Sequence, residues 1–174
     1  MLKGKTVVLG VTGCIAAYKA CEIVSSLKKK GATVIVIMTP HSTEFVQPLS
    51  FETLSGNRVI TDLFDRDFDF EVEHVALAKR ADVFVVAPAT ANTIGKIANG
   101  IADDMLTTTI MACKAPKIIC PAMNTNMYEN ENTTENIARL KKQGYKIIEP
   151  ISGRLACGDV GKGKMAEPET IVKA

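Results

Sequence analysis

The segment Thr6–Val11, TVVLGV, constrains the fold more than any other stretch of the chain. It is a continuous, valine-rich apolar run, which suits a strand buried on both faces, as in a parallel sheet. Gly10 and Gly13 punctuate its end. Ile15 to Lys29 then reads as a helix, with Ile15, Ala16, Ala20, Ile23, Val24 and Leu27 along one face. Lys28, Lys29 and Lys30 suit the negative end of the helix dipole, and Gly31 suits its cap. Ala32 to Met38 is a second β-branched run, stopped by Pro40. Together these form a βαβ unit.

The same grammar recurs. Strands are expected at Val83–Ala87, Lys117–Cys120 and Tyr145–Ile148, each framed by Pro, Gly or Asp. Helices are expected over 91–98, 104–112 and about 133–143. Alternation of this kind implies an α/β fold, a mostly parallel sheet with helices on both faces. Ligands in such sheets bind at the carboxyl ends of the strands. That rule selects four segments: Gly13–Ala16, Thr39–Thr43, Pro88–Thr93 and Pro121–Tyr128.

The first of these loops narrows the ligand. GVTGCIAAYK has no GK[ST], so it is not a P-loop. Gly10 and Gly13 are spaced GxxG, and the second strand ends MTPH with no acid for a ribose, so a nicotinamide cofactor is disfavoured. A mononucleotide phosphate at the helix start after Gly13 fits, and so does a tight turn without a ligand. Thr90, Asn92, Thr93, Thr107, Thr108 and Thr109 lie in or beside expected helix starts. They read either as ordinary caps or as a polar cradle for a cofactor's phosphate and ribityl-like chain.

Length and composition limit the rest. At 174 residues the chain is read as a single domain over 1–174, with one sizeable core. A net charge of +2 is too balanced for a nucleic-acid or membrane-surface binder, and no apolar run approaches a membrane span. The start lacks the apolar region and cleavage site of a signal peptide. Five cysteines without a CxxC pair read as reduced thiols in a cytoplasmic protein; no metal site is expected. The acidic stretch of residues 62–74 carries Phe64, Phe68 and Phe70 between its carboxylates. It is either a solvated loop or a subunit-contact segment.

Few residues are suited to chemistry. His41 follows Pro40 at a strand end. His74 closes the acidic stretch and is either a surface group or a general acid or base presented to a neighbouring subunit. PAMNTNMY, residues 121–128, is either an irregular loop or a pocket in which Asn124 donates to a carboxylate and methionines such as Met123 line an apolar wall. Four glycines around Cys157 make residues 152–166 too glycine-rich for strand or helix, and they read as a mobile flap. Arg154, Lys162 and Lys164 stand near enough in sequence to make the Cys157 thiol more acidic. Cys14 reads as packing, and Cys21, Cys113 and Cys120 as core.

Three features together are familiar: PAMNTNMY, the lone His74 before VALAKRAD, and the flap LACGDVGKGK. The chain resembles, over nearly its whole length, the homo-oligomeric flavin-containing cysteine decarboxylases, the family of the phosphopantothenoylcysteine decarboxylases of coenzyme A biosynthesis. The resemblance implies a three-layer Rossmann-like or flavodoxin-like fold, non-covalent FMN, and a carboxy-lyase that converts 4′-phosphopantothenoyl-cysteine into 4′-phosphopantetheine and CO2. By motif match, His74 is an active-site residue donated across a subunit interface, Asn124 binds the cysteinyl carboxylate, and Cys157 is the final proton donor. Met123 and Lys164 fall on the substrate side. Gly13, Cys14, Ile15, Thr39, Thr43, Thr90, Ala91, Asn92, Thr93 and Ala122 fall where the family contacts flavin. The family assembles as homotrimers, often as homododecamers, and a phosphopantothenoylcysteine synthetase is an expected fused or separate partner.

The implied reaction is chemically coherent. Direct loss of CO2 from a cysteine amide leaves a carbanion with no acceptor. Oxidation of the thiol to a thioaldehyde places a C=S group β to the carboxylate, and it takes the electrons as CO2 leaves. The resulting ene-thiol is then reduced and protonated. Three positions depart from the family pattern: Tyr128 where Trp is frequent, Lys164 where Arg is common, and Cys14 where Ser is common. Other expectations are a peptidyl-cysteine decarboxylase of lantibiotic maturation, a non-catalytic FMN-binding regulator, or a flavin prenyltransferase. The regulator is disfavoured because its relatives carry long acidic tails that this sequence lacks, and the prenyltransferase because its chemistry needs neither Cys157 nor Asn124.

Overall fold

The computed structural model describes residues 2–64 and 73–174. Five parallel strands, β1 (Thr6–Val11), β2 (Thr33–Met38), β3 (Val83–Ala89), β4 (Lys117–Pro121) and β5 (Lys146–Ile147), form one sheet in the order β2-β1-β3-β4-β5. This doubly wound order is flavodoxin-like, and its topological switch point lies between β1 and β3.

Alternation along each strand divides the core in two. Val7, Leu9, Val11, Val34, Val36, Val85, Ile118 and Cys120 face one layer. There they meet α1 (Ala17–Lys29), α2 (Pro48–Ser55) and α8 (Pro168–Lys173). Val8, Ile35, Ile37, Phe84, Val86 and Ile119 face the other. Its helices are α3 (Glu73–Arg80), α4 (Ala91–Ala98), α5 (Met105–Ala112) and α7 (Glu131–Lys142). Both faces of every central strand are therefore dry, which is why the strands read as unbroken apolar runs. Each fully buried Val, Ile or Leu contributes about 1.5–3 kcal/mol before entropy is set against it.

Several expectations need correction. The first helix starts at Ala17, with Ala16 as its N-cap, so Ile15 lies in the preceding turn and is 55% exposed. The apolar spacing holds within the helix, where Ala17, Ala20, Ile23, Val24 and Leu27 are buried. The fifth strand has only two residues, because Pro150 follows closely. The second half of PAMNTNMY, residues 125–128, is not irregular loop but belongs to the one-turn helix α6 (Thr125–Glu129). Cys113 and Cys120 are buried, but Cys21 is only half-buried.

The largest correction concerns the glycine-rich segment. It is an antiparallel hairpin, β6 (Ile151–Arg154) with β7 (Val160–Lys164). Its glycines serve close approach. A side chain on Gly163 would strike the Met123 carbonyl, and one on Gly161 would strike the Thr125 side chain. The hairpin is fixed over β4 and α6 by Met123 N, which donates to Gly163 O at 3.0 Å.

Candidate active site

At the switch point the strand ends are tied together. The buried Thr12 hydroxyl donates to Pro88 O at 2.7 Å and accepts from Thr90 N at 3.1 Å. Gly13 follows, and a side chain there would sit 2.7 Å from His41 Cβ, so the β1–α1 turn lies directly on the 3₁₀ turn Pro40–Glu44. Helices α4, α5, α6 and α7 each start with their own side-chain cap: Thr90, Asp104, Asn124 and Asn130. Helices α2 and α8 start with Pro. Helix α1, opening on the switch point, has Ala16 at its N-cap and no side-chain cap; Ala17 N donates back to Cys14 O at 2.9 Å and Lys19 N to Ala16 O at 3.0 Å, so of its first three N–H groups that of Tyr18 is left for another acceptor.

Two cavities share this edge. The first, of about 540 Å³, runs from Cys14, Ile15 and Tyr18 to Ala122, Met123 and Asn124, and the hairpin side carries Arg154, Cys157 and Lys164. The second, of about 470 Å³, is bounded by Gly13, Thr39, His41, Thr90, Asn92 and Thr93. Consecutive residues of one turn, Gly13 and Cys14, thus line different cavities.

Asn124 has a divided role. Its Oδ1 accepts from Asn126 N at 2.8 Å and caps α6. That fixes Nδ2 toward the hairpin, where it donates to Cys157 Sγ at 3.5 Å and to Asp159 Oδ2 at 3.4 Å. The Cys157 thiol donates to the same Asp159 Oδ2 at 3.4 Å. Cys157 is the exposed cysteine among the described residues. Burial pushes the Cys14 thiol up, opposed by a hydrogen bond from the Ala16 backbone, which fits its reading as a packing residue.

Of the three cations expected beside Cys157, Lys162 and Lys164 are engaged elsewhere, and Arg154 lines the same cavity as Cys157. Lys162 Nζ donates to Glu149 at 3.1 Å and lies 5.3 Å from the centre of the Tyr128 ring. Lys164 pairs with Glu167 at 3.5 Å, and Lys19 donates to the same carboxylate at 3.0 Å. The lysines hold the Glu167 carboxyl below its usual range, Lys19 first. Glu149 also accepts from Tyr128 Oη and from Lys141 at 2.7 Å. Partial burial pushes Glu149 up, but the bonds from Lys141, Tyr128 and Lys162 outweigh it and hold its carboxyl at about 2. Burial and the Glu149 carboxylate together push Tyr128 up. This cluster staples α6, α7 and β7 together.

The remaining candidates divide. Thr43 lines a third cavity beside Glu44 and Phe64, with its hydroxyl donating to Pro40 O at 2.7 Å. Ala91, the first residue of α4, lines none of these cavities. Thr107, Thr108 and Thr109 are taken up by their own helix: a capping box with Asp104, a bond to Ala102 O, and a bond to Met105 O. The polar cradle therefore shrinks to Thr90, Asn92 and Thr93. His74, half-buried at the start of α3, lines neither of the two cavities at the switch point. The acidic stretch between 65 and 72, with Phe68 and Phe70, lies outside the described residues. Among the described residues no cluster fits a metal ion, and no helix is long and apolar enough to cross a membrane.

Sequence reasoning missed Tyr18, Lys19 and Asp159. Tyr18 is 59% exposed on the cavity rim, three residues beyond the exposed Ile15. Two large apolar side chains left outside the face that α1 buries are the signal that marks them.

Comparison with known proteins agrees with this geometry. The chain is 53% identical over 173 residues to the coenzyme A biosynthesis bifunctional protein CoaBC of Bacillus subtilis (strain 168), covering 99% of this chain and 43% of that one. It thus spans less than half the length of that relative. It is 47% identical over 171 residues to a probable phosphopantothenoylcysteine decarboxylase of Streptococcus mutans, covering 97% of this chain and 96% of that one. Among solved structures, a PPC decarboxylase mutant complexed with pantothenoylaminoethenethiol superposes with a TM-score of 0.85 at 35% identity, covering 97% of this chain and 94% of that one. The FMN-dependent cysteine decarboxylase SpaF superposes with a TM-score of 0.86 at 30% identity, covering 99% and 95%. A flavodoxin-like switch point, an uncapped helix start beside it, and a match to the flavoprotein family over residues 1–174 converge: the chain belongs to the flavoprotein family.

Proposed function

We propose that the chain is an FMN-dependent phosphopantothenoylcysteine decarboxylase, acting in the cytoplasm on 4′-phosphopantothenoyl-cysteine. The observation that carries this reading is the meeting of Asn124 Nδ2 and Cys157 Sγ, 3.5 Å apart, on the wall of a cavity of about 540 Å³. A carboxylate-binding amide and a thiol acid are what decarboxylation and reprotonation of a cysteinyl group require at one place.

The chain's residues fit the cofactor. The uncapped start of α1, with the hydroxyls of Thr39, Thr90 and Thr93, supplies phosphate and polyol donors. Cys14, Ile15 and Ala122 offer apolar contact on the other side of the turn. FMN held there would supply reversible two-electron redox chemistry for the thiol-bearing carbon.

The chain supplies the rest. Asn124 holds the substrate carboxylate through Nδ2, because its Oδ1 is committed to the α6 cap. Met123 and the hairpin residues around Cys157 exclude water from the reacting carbons. Lys164 and Lys19, sharing Glu167, stand at the rim as partners for an anionic group of the substrate. Cys157 gives the last proton. Within the hairpin of residues 152–166, which β7 seats on Met123, the tip around Cys157 acts as a flap that closes over bound substrate.

His74 completes the site from another copy of the chain, since on its own chain it lines neither cavity at the switch point. A homotrimer, alone or within a dodecamer, is the assembly this reading requires. A phosphopantothenoylcysteine synthetase is the expected fused or separate partner.

The peptidyl-cysteine reading is weaker. The relatives named for coenzyme A biosynthesis are 44–53% identical, against 25% for the peptidyl-cysteine decarboxylase EpiD. Product analysis of Cys157→Ser tests the proposal. The variant is expected to release CO2 and accumulate the unsaturated ene-thiol; normal 4′-phosphopantetheine at the wild-type rate contradicts it.

A further inference from the structure

The group that accepts a hydrogen bond from the Cys157 thiol is a carboxylate. Asp159 Oδ2 accepts from the thiol at 3.4 Å and from Asn124 Nδ2 at 3.4 Å, closing a triangle whose third side is the 3.5 Å contact between Asn124 and Cys157. The hairpin builds this arrangement through its own tip. Leu155 N donates to Asp159 O at 2.8 Å and Gly158 N donates to Leu155 O at 2.9 Å, so the turn folds Asp159 back beside Cys157. Gly158, at φ +95°, supplies the left-handed step between them. The charged groups facing the same cavity from α1, β6 and β7 are Lys19, Arg154 and Lys164. Two of these are paired with Glu167.

We propose that Asp159 is a positioning residue for the flap acid: its carboxylate orients the Cys157 thiol, and holds the Asn124 amide until the substrate carboxylate claims that donor. This rests on the role given to Cys157 above. The bond from Sγ to Oδ2 fixes the rotamer in which the thiol waits for the ene-thiol. Arrival of the substrate carboxylate replaces Asp159 at Asn124 Nδ2, and the bond from Cys157 is then the one Asp159 retains. The flap thus carries its own stand-in for the substrate's carboxylate.

Two readouts test this on the FMN-loaded full chain with Asp159→Asn and Asp159→Glu. The first is the rate of iodoacetamide alkylation at Cys157, followed by mass spectrometry of its peptide. The second is the share of product released as ene-thiol. In Asp159→Asn, alkylation is expected to be several-fold faster, and the ene-thiol share several-fold larger. Asp159→Glu, which keeps the charge, is expected to move both back toward wild type. A role confined to holding the hairpin would not distinguish the two variants in this way. Alkylation and product share in Asp159→Asn equal to wild type would overturn the proposal. Alkylation does not depend on turnover, so it judges Asp159 even if the wild-type chain releases no CO2, and that failure would count against the decarboxylase reading alone.

Discussion

The Thr12 hydroxyl donates to the Pro88 carbonyl at 2.7 Å, joining the carboxyl ends of β1 and β3 where the sheet reverses its winding. Because Thr12 also accepts from Thr90 N, one buried side chain sets both the β1–α1 turn and the start of α4. Thr12→Val keeps the shape but leaves Pro88 O and Thr90 N without this partner. The expected cost is about 1–3 kcal/mol, seen as a lower thermal midpoint, with weaker FMN retention on gel filtration. A variant with wild-type midpoint and flavin content would contradict this role.

Asn124→Asp separates the two jobs of that residue. Aspartate caps a helix as well as asparagine, so the thermal midpoint is expected to change by less than the equivalent of about 1 kcal/mol. The donor Nδ2 is lost, and a second anion faces the substrate carboxylate. Turnover is expected to fall about 100-fold, as for loss of one donor aimed at reacting charge. Unchanged kcat/KM would remove Asn124 from the site.

Gly163→Ala tests the seating of the hairpin. The added methyl meets the Met123 carbonyl, which cannot move without disturbing β4. Lower stability by about 1–3 kcal/mol and loss of turnover are expected together, read by thermal melting and CO2 release. A stable, active variant would show that the hairpin is seated otherwise.

Glu149 ties hairpin stability to pH. Its carboxyl titrates at about 2, below the ordinary 4.5, so its ion pairs stabilise the fold fully above about 4.5 and are lost as pH falls toward 2. Thermal midpoints of wild type and Glu149→Gln are expected to differ at neutral pH and to converge over that acid window. The side chain is 42% exposed, so the difference is expected to be modest. A gap that widens on acidification would contradict the assignment.

Subunit exchange tests His74. His74→Asn and Cys157→Ser are each expected to load FMN yet fail to make saturated product. Oligomers reassembled from a mixture of the two are expected to recover it, because some sites combine intact groups from two chains. No recovery in mixed oligomers would place His74 and Cys157 in a site of one chain, or His74 outside it.

The sheet was legible because β-branched runs framed by Pro or Gly have few alternatives, and burial on both faces removes the polar residues that blur a strand. The flavoprotein family was legible from three separated motifs. The hairpin was not: glycine was read as freedom, whereas Gly161 and Gly163 make room for Thr125 and the Met123 carbonyl. Helix α6 was missed because one turn has no periodicity, although Asn124 and Asn130, six residues apart, are the caps of two successive helices. Ile15 was placed on the buried face because its spacing continues that face backwards past the true helix start. Asp159 had no sequence signal, since its partners are set by the hairpin turn and by Asn124, 35 residues away. The subunit contact proposed for His74 would be a property of an assembly, which one chain's pattern does not encode.

The central claim is tested most directly by supplying the FMN-loaded chain with 4′-phosphopantothenoyl-cysteine and, separately, with a peptide ending in cysteine, and measuring CO2 alongside the sulfur product. Equimolar CO2 and 4′-phosphopantetheine from the first, with little from the second, is the predicted result. A flavin-bound chain that releases CO2 from the peptide alone, or from neither, would contradict it.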